Sequence, residues 1–223
     1  MNYLIKKAKG PVKLDAAWDS NDWKNANIVE VKIFREDRGS EHRPVTCCKM
    51  QYDTTGIYGL FQVQDKYVRS VATNFQDGVC RDSCVEFFVA PPVKNGYLNF
   101  EFNCGGTMLV HHVVDHTRTD KGFKEYYPLT TEAAEGIRIF HTMPKVVEPE
   151  IQENTVWRLG FFIPFAVFKR TTGLKEEISS GQAWRANYYK CGDLTSHPHW
   201  ASWQPLTATN FHLPECFGEI IFE

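Results

Sequence analysis

The sequence predicts an all-β fold, a single antiparallel β-sandwich that spans residues 1–223. Short segments with alternating apolar and polar residues recur along the chain, turn residues separate several of them, and only one stretch favours a helix. No repeat, linker or change of composition divides the chain, and its length is sufficient to bury a large core. About ten strands with one short helix are typical of a sandwich of the immunoglobulin-like or DOMON-like type.

The strand signals follow one another at regular intervals. In chain order they cover residues 28–34, 45–52, 57–64, 83–90, 97–104, 107–114, 136–141, 156–163, 184–191 and 218–222. Thr55-Gly56, Pro91-Pro92 and Gly105-Gly106 supply turns between strands. We expect a helix over 164–170, with Pro164 in its first turn. The more polar segments 115–135 and 171–182 are predicted to be loops.

The net charge and the hydropathy of the chain argue against two kinds of partner, nucleic acids and membranes. The chain has 25 Lys and Arg against 27 Asp and Glu, whereas general nucleic-acid binders usually have a basic excess. It has neither the apolar run of a signal peptide nor that of a membrane span. We therefore expect no nucleic-acid or membrane partner and a cytoplasmic location, or a periplasmic or secreted one if a leader has been removed.

The seven cysteines are odd in number, so at least one is unpaired. They stand at positions 47, 48, 80, 84, 104, 191 and 216. No CxxC pair is present, which argues against a zinc ribbon. Cys47 and Cys48 are neighbours on a predicted strand and point to opposite faces. We expect reduced thiols, with no disulfide between these two.

The strand at 97–104 separates two kinds of side chain. Its apolar residues share one face, and Tyr97, Asn99, Glu101 and Asn103 share the other, which we expect to be wet. Glu86 occupies the same kind of face in the preceding strand. A hairpin between the two strands would make Glu86 and Glu101 cross-strand neighbours. Two exposed carboxylates that close repel each other unless a cation, a basic side chain or sugar hydroxyls lie between them.

Four segments, taken together, carry a resemblance to a known family. They are DSCVEFF (82–88), NFEFNCGGT (99–107), WRANYYKCGD (184–193) and FHLPECFG (211–218), and YDTTGIYGLFQVQD (52–65) agrees with them. The chain resembles carbohydrate-binding module family 9-like proteins, which occur in gut bacteria and as xylanase appendages. The resemblance implies a bacterial β-sandwich that binds sugars without catalysis, as a glycoside hydrolase accessory in carbohydrate catabolism.

The resemblance also places the ligand-binding residues. It puts the family's binding carboxylate on Glu86, a binding arginine on Glu101 and the next polar position on Asn103. A binding amide falls on Tyr189, and the two clamping tryptophans fall on Cys80 and Phe211. Trp200, Phe75 or Tyr189 could supply the missing aromatic ring. The predicted ligand-binding residues are Glu86, Glu101, Asn103, Tyr189, Phe211 and Trp200, and the predicted partner is an oligosaccharide or polysaccharide end, with no catalytic residue, metal or cofactor.

Two alternatives remain open. A glycoside hydrolase would use Glu86 and Glu101 as its pair of carboxyl groups. A haem or metal site would use the histidines of HHVVDH (111–116) with Met108, although CxxCH is absent. The resemblance to xylanase modules also allows structural calcium, for which Asp53 and Asp65 are candidate ligands without a recognisable loop signature.

Overall fold

The computed structural model describes residues 2–37 and 39–223 and contains sixteen strands and one α-helix over them. The strands are β1 (Asn2–Lys7), β2 (Ile28–Val31), β3 (Ile33–Phe34), β4 (Val45–Tyr52), β5 (Gly56–Asp65), β6 (Val68–Ser70), β7 (Cys84–Ala90), β8 (Tyr97–Asn103), β9 (Met108–Thr119), β10 (Gly122–Pro128), β11 (Arg138–His141), β12 (Val147–Ile151), β13 (Thr155–Pro164), β14 (Ala183–Cys191), β15 (Trp200–Ser202) and β16 (Gly218–Phe222). The helix is α1 (Phe165–Thr172). The all-β class with one helix is confirmed, and the predicted number of strands is too low.

Two sheets share the first strand. The first sheet has the order β10-β9-β8-β7-β14-β16-β1, and the second has the order β1-β4-β5-β13-β11. Residues 2–5 of β1 pair with β16, and residues 6–7 pair with β4, parallel in both cases. The pairings of β1 are the parallel exceptions in the antiparallel sandwich that the sequence predicts. The parallel partners of β1 lie far away in sequence, so no local turn signal announces them.

The smaller strands complete this framework. β15 and β3 extend the first sheet beside the end of β14. β2 pairs with β4, and β6 forms a separate pair with β12. No helix in the described part of the chain is long and apolar enough to cross a membrane.

Aromatic side chains fill the space between the two sheets. Phe161 of β13 stacks with Phe87 of β7 and Phe102 of β8, at ring-centroid distances of 5.8 and 5.3 Å. Gly59 of β5 lies directly opposite Phe161 in the second sheet. A Cβ atom at Gly59 would lie 2.1 Å from the Phe161 ring, so the glycine makes room for it. This close packing fixes the position of the first sheet against the second.

The segment 115–135 differs most from its predicted loop. β9 continues to Thr119 and forms a hairpin with β10. The turn at Asp120-Lys121 ends in Gly122, whose φ of +111° favours glycine. The residues beyond Asp115 lie mostly in solvent, so they lack the apolar alternation that marks a buried strand. The segment 171–182 is closer to its prediction, because α1 ends at Thr172 and no strand or helix follows until Ala183.

The outer face of the first sheet, which points away from the second sheet, is buried rather than wet. Glu86, Asn99 and Glu101 are only 2%, 1% and 6% exposed. Tyr97, Tyr189 and Phe217 form a second apolar cluster on this face, together with Phe88. The expectation of exposed carboxylates is therefore wrong. β10 and the chain after β15 cover this face and bury its side chains. The sequence alone did not place these segments there.

Candidate functional site

A cleft of about 230 Å³ opens on the outer face of the first sheet, over β7, β8 and β14. Four of the six predicted binding residues line it: Glu86, Glu101, Trp200 and Phe211. Cys80, Cys191, Asp193, Arg35, Arg118 and His212 also line it. Larger clefts of about 450 and 460 Å³ lie elsewhere and contain none of the six. The small cleft is the functional candidate because it joins buried carboxylates to aromatic side chains.

Sheet register brings the two carboxylates together. Glu86 is paired with Glu101 on one side and with Tyr189 on the other, so the three side chains form one row across β8, β7 and β14. Asn99 Nδ2 donates to Glu101 Oε1 at 2.7 Å, and Cys191 Sγ donates to Glu86 Oε1 at 3.1 Å. Glu86 Oε2 is buried without a hydrogen-bond partner. An unpartnered buried carboxylate oxygen is unfavourable and leaves this site ready for a donor.

Burial makes both carboxyl groups weaker acids than usual. It raises the pKa of Glu86 well above its ordinary value, and the nearby charge of Glu101 adds to this rise. Burial also raises the pKa of Glu101 to about 7, where the Asn99 hydrogen bond opposes the rise and the Asp193 charge adds to it. Groups with such pKa values in a cleft are often functional. The pair can accept hydrogen bonds from a ligand that brings hydroxyl or cationic donors.

Aromatic side chains stand beside the carboxylates. Phe211 stacks on Tyr189 at 4.1 Å between ring centroids, and Tyr189 Oη donates to the Phe211 carbonyl at 2.9 Å. Trp200 Nε1 donates to Asp193 Oδ1 at 2.7 Å. Phe211 and Trp200 are both half-buried, and both line the cleft. Tyr189 itself is fully buried and supports Phe211 from beneath rather than lining the cleft.

Basic residues at the cleft were missed by sequence reasoning. Arg118 stacks over Phe123 at 4.1 Å, and Arg35 Nη1 donates to the Thr209 carbonyl at 2.7 Å. Arg118 falls in the segment predicted as a loop, and the β9-β10 hairpin is what carries it to the cleft. His212 Nδ1 shares a hydrogen bond of 2.8 Å with Tyr97 Oη. Burial and the nearby Arg118 charge lower the pKa of His212 to about 3, so this histidine is neutral at pH 7.

Asn103 stands apart from the cleft. Its Nδ2 donates to the Ala72 carbonyl and to Asp82 Oδ2, each at 2.9 Å, and its Oδ1 accepts from the Thr107 amide. These bonds hold the loops that flank β8 and leave no contact with the cleft. Phe75 is 37% exposed and does not line the cleft either. The binding role of the six residues stays a prediction, and for Asn103 the geometry offers no support.

The histidine-rich segment 111–116 does not assemble a haem or metal site among the described residues. His111 and His112 are neighbours on β9 and point to opposite faces. His112 Nε2 shares a hydrogen bond with the Asn95 carbonyl at 2.6 Å. His116 lies 3.7 Å from Glu215. Nothing in this arrangement favours the haem alternative.

The two candidate calcium ligands serve other purposes. Asp53 accepts hydrogen bonds from Thr55, Gly56 and Tyr58 and so closes the turn before β5. Asp65 accepts from His42 at 2.8 Å and from Trp157 at 3.1 Å. Calcium prefers six to eight oxygen ligands. Carboxylates already occupied by protein donors do not fit that ion.

Asp65 belongs to a buried polar network that contains its own cation. Lys190 is fully buried, and its Nζ lies 3.4 Å from Asp65 Oδ2 and 2.7 Å from His199 Nε2. His199 Nδ1 lies 2.9 Å from the His197 carbonyl. Burial and the Lys190 charge lower the pKa of His199 to about 3, so its neutral ring accepts from the ammonium group. This network is satisfied internally and stabilises the end of the first sheet.

Comparison with known families decides the identity. Residues 13–222 match the sequence profile of carbohydrate-binding family 9. The chain belongs to carbohydrate-binding family 9. Among curated proteins no match was found. Membership in family 9 confirms the resemblance seen in the sequence and makes non-catalytic carbohydrate binding the function of this chain.

Solved structures of carbohydrate-binding proteins share the fold. A proposed carbohydrate-binding protein from Bacteroides uniformis ATCC 8492 is 25% identical over 100% of this chain and 99% of its own, with a TM-score of 0.79. A family 9 module from Caldicellulosiruptor kristjanssonii was solved with glucose and with cellotriose. It is 11% identical, with a TM-score of 0.65, over 100% of this chain and 96% or 94% of its own. At that identity the likeness concerns the fold alone, and none of these comparisons supports hydrolysis by Glu86 and Glu101.

Proposed function

We propose that this family 9 protein binds the end of an oligosaccharide or polysaccharide in the cleft that contains Glu86 and Glu101, with residues 1–223 acting as one binding domain. The observation that carries the proposal is the buried Glu86 oxygen without a partner, which lies beside half-buried aromatic side chains. At about 230 Å³ the cleft is smaller than the roughly 300–1,000 Å³ of drug-sized ligand sites. A cleft of that size suits a terminal sugar ring better than a continuous chain.

The side chains match the two surfaces of a sugar. Hydroxyl groups of a sugar can donate to Glu86 and Glu101, while its apolar C–H face can pack on Phe211 or Trp200. The Arg35 and Arg118 guanidinium groups at the edge can donate to ring or hydroxyl oxygens. Such a site serves the capture of sugar ends during polysaccharide or oligosaccharide utilisation. The glucose and cellotriose complexes of the Caldicellulosiruptor module make these two sugars the first probes to use.

Replacing Phe211 by alanine should lower the affinity for glucose or cellotriose about tenfold. The change removes a stacking surface beside the carboxylates, and aromatic pairs contribute about 0.5–1.5 kcal/mol beyond their buried area, where 1.4 kcal/mol corresponds to a factor of ten. Isothermal titration calorimetry of the wild-type protein and F211A measures the difference. Phe75→Ala is the matched control, because Phe75 is 37% exposed and outside the cleft. Equal losses in both variants, or none in F211A, would contradict a sugar site at Phe211.

We further propose that the protein works in a reducing compartment, which in a bacterium is the cytoplasm. All seven cysteines are free, and four of them, Cys48, Cys84, Cys104 and Cys191, are buried. Alkylation in denaturant without reductant should therefore modify all seven thiols, as read by intact mass. A mass that lacks two alkyl groups would show a disulfide and would favour an oxidising compartment instead.

A further inference from the structure

Two cysteines and a glutamate lie close together at the cleft, which Glu86 and Cys191 line. Cys84 of β7 and Cys191 of β14 are directly opposite each other in the antiparallel pair. Glu86 lies two residues beyond Cys84 and therefore on the same face of the sheet. One ligand atom from each of the three residues lies within 4.8 Å of the other two, and Cys191 Sγ is 3.1 Å from Glu86 Oε1. Their spacing is that of side chains able to meet around one ion.

This cluster is buried but has no positive charge of its own. Cys84, Cys191 and Glu86 are 0%, 1% and 2% exposed, and Glu86 Oε2 has no hydrogen-bond partner. No Lys, Arg or His side chain in the described part of the chain forms an ion pair with Glu86 or with its neighbour Glu101. Burial disfavours the ionised form of a carboxyl group that has no charged partner, and a bound cation can take the place of its proton.

A second cluster in the same protein provides the contrast. His42, Asp65 and His199 also bring three ligand atoms together. There the Lys190 ammonium group already occupies the centre, at 3.4 Å from Asp65 and 2.7 Å from His199. In the histidine cluster, the Lys190 side chain thus offsets the charge of Asp65. The cysteine cluster contains a carboxylate and two thiols but no equivalent cation.

We propose that Cys84, Cys191 and Glu86 form a binding site for a thiophilic divalent cation of the zinc type. Two sulfur atoms and one carboxylate oxygen suit Zn²⁺, whereas Ca²⁺ and Mg²⁺ prefer oxygen ligands alone. Binding exchanges the protons of the two thiols and of the buried Glu86 carboxyl group for the metal, so about three protons are released to solvent as two sulfur–metal bonds and one oxygen–metal bond form. Three protein ligands leave a fourth position directed to the cleft, where water or a ligand hydroxyl can coordinate. The site does not depend on sugar binding.

Cobalt(II) provides the direct test, because thiolate ligands give it a charge-transfer absorption in the near ultraviolet. The full-length protein is reduced, stripped with a chelator and titrated with Co²⁺ and then with Zn²⁺. One Co²⁺ per chain with a sulfur charge-transfer band, displaced by Zn²⁺, is the expected result. Cys84→Ser and Cys191→Ser should lose the band, whereas Cys47→Ser, a half-buried thiol of β4 in the second sheet, should keep it.

A second measurement needs no variant and so does not depend on how the serine variants fold. Adding Zn²⁺ to the stripped wild-type protein in weak buffer should release about three protons per ion bound, two from the thiols and one from the Glu86 carboxyl group. Absence of Co²⁺ binding by the wild-type protein would overturn the proposal. So would a band that persists in both serine variants, or a Cys84–Cys191 disulfide in the protein isolated without oxidant.

Discussion

Replacing Asp65 by alanine should lower the free energy of unfolding by about 3–5 kcal/mol, because it leaves the buried Lys190 ammonium group without its carboxylate. Lys190 is 0% exposed and lies 3.4 Å from Asp65. The same change removes the acceptor of His42 and Trp157. For a chain of about this length, each kcal/mol corresponds to a shift of about 2–4 °C in the melting temperature. Urea unfolding, checked by calorimetry, measures the effect.

A double variant separates the lost charge pair from lost packing. Asp65→Leu combined with Lys190→Met removes both charges and should recover much of the stability, since apolar replacements of a buried ion pair are often neutral or stabilising. Asp53→Ala is a milder comparison, because Asp53 caps an exposed turn. A free energy of unfolding for D65A within about 1 kcal/mol of the wild-type value would show that Asp65 does not stabilise the buried Lys190 ammonium group.

Replacing Phe161 by alanine should cost about 3–5 kcal/mol, the usual range for a buried phenylalanine. Phe161 is fully buried between the sheets and stacks with Phe87 and Phe102. The substitution leaves a cavity that well-packed neighbours cannot close. Denaturant unfolding should show a lower midpoint with an unchanged slope, because the surface exposed on unfolding is nearly the same.

Gly59 provides a sharper test, because Gly59→Ala should have opposite effects on stability in the wild-type and F161A backgrounds. In the wild-type protein Gly59→Ala should destabilise by about 1–3 kcal/mol, because the new Cβ would lie 2.1 Å from the Phe161 ring. In the F161A background the same methyl group enters the cavity and should stabilise the protein. Additive effects of the two substitutions would contradict the contact, since neighbours that share a cavity are expected to couple.

Local patterns were sufficient for part of the site. The turn at Pro91-Pro92 and the alternation in 97–104 fix the register of one hairpin, and so predict that Glu86 and Glu101 oppose each other. The burial of this pair was not predictable in that way, because its cover includes Phe211, which comes from more than a hundred residues further along the chain. A residue pattern reports which face a side chain takes and says little about what later covers that face.

The cysteine cluster and the two arginines at the cleft, Arg35 and Arg118, were likewise not predictable from local patterns. Cys84 and Cys191 are far apart in sequence and become neighbours only because β7 pairs with β14. No fixed spacing such as CxxC announces a site built across two strands. Arg118 reaches the cleft on an exposed ribbon whose residues lack a buried face. Cys84 and Cys191 lie within two of the segments that carry the family resemblance, 82–88 and 184–193, but the resemblance assigns them no binding role.

The shared strand β1 sets an order of events for the chain as it is made. Its first half pairs with β16, so that Asn2 faces Glu219, and its second half pairs with β4. β1 is therefore synthesised long before β16, the partner of its first half. Contacts so distant in sequence slow folding and leave strand edges open to wrong partners. We therefore expect the seam between the two sheets to close late in folding.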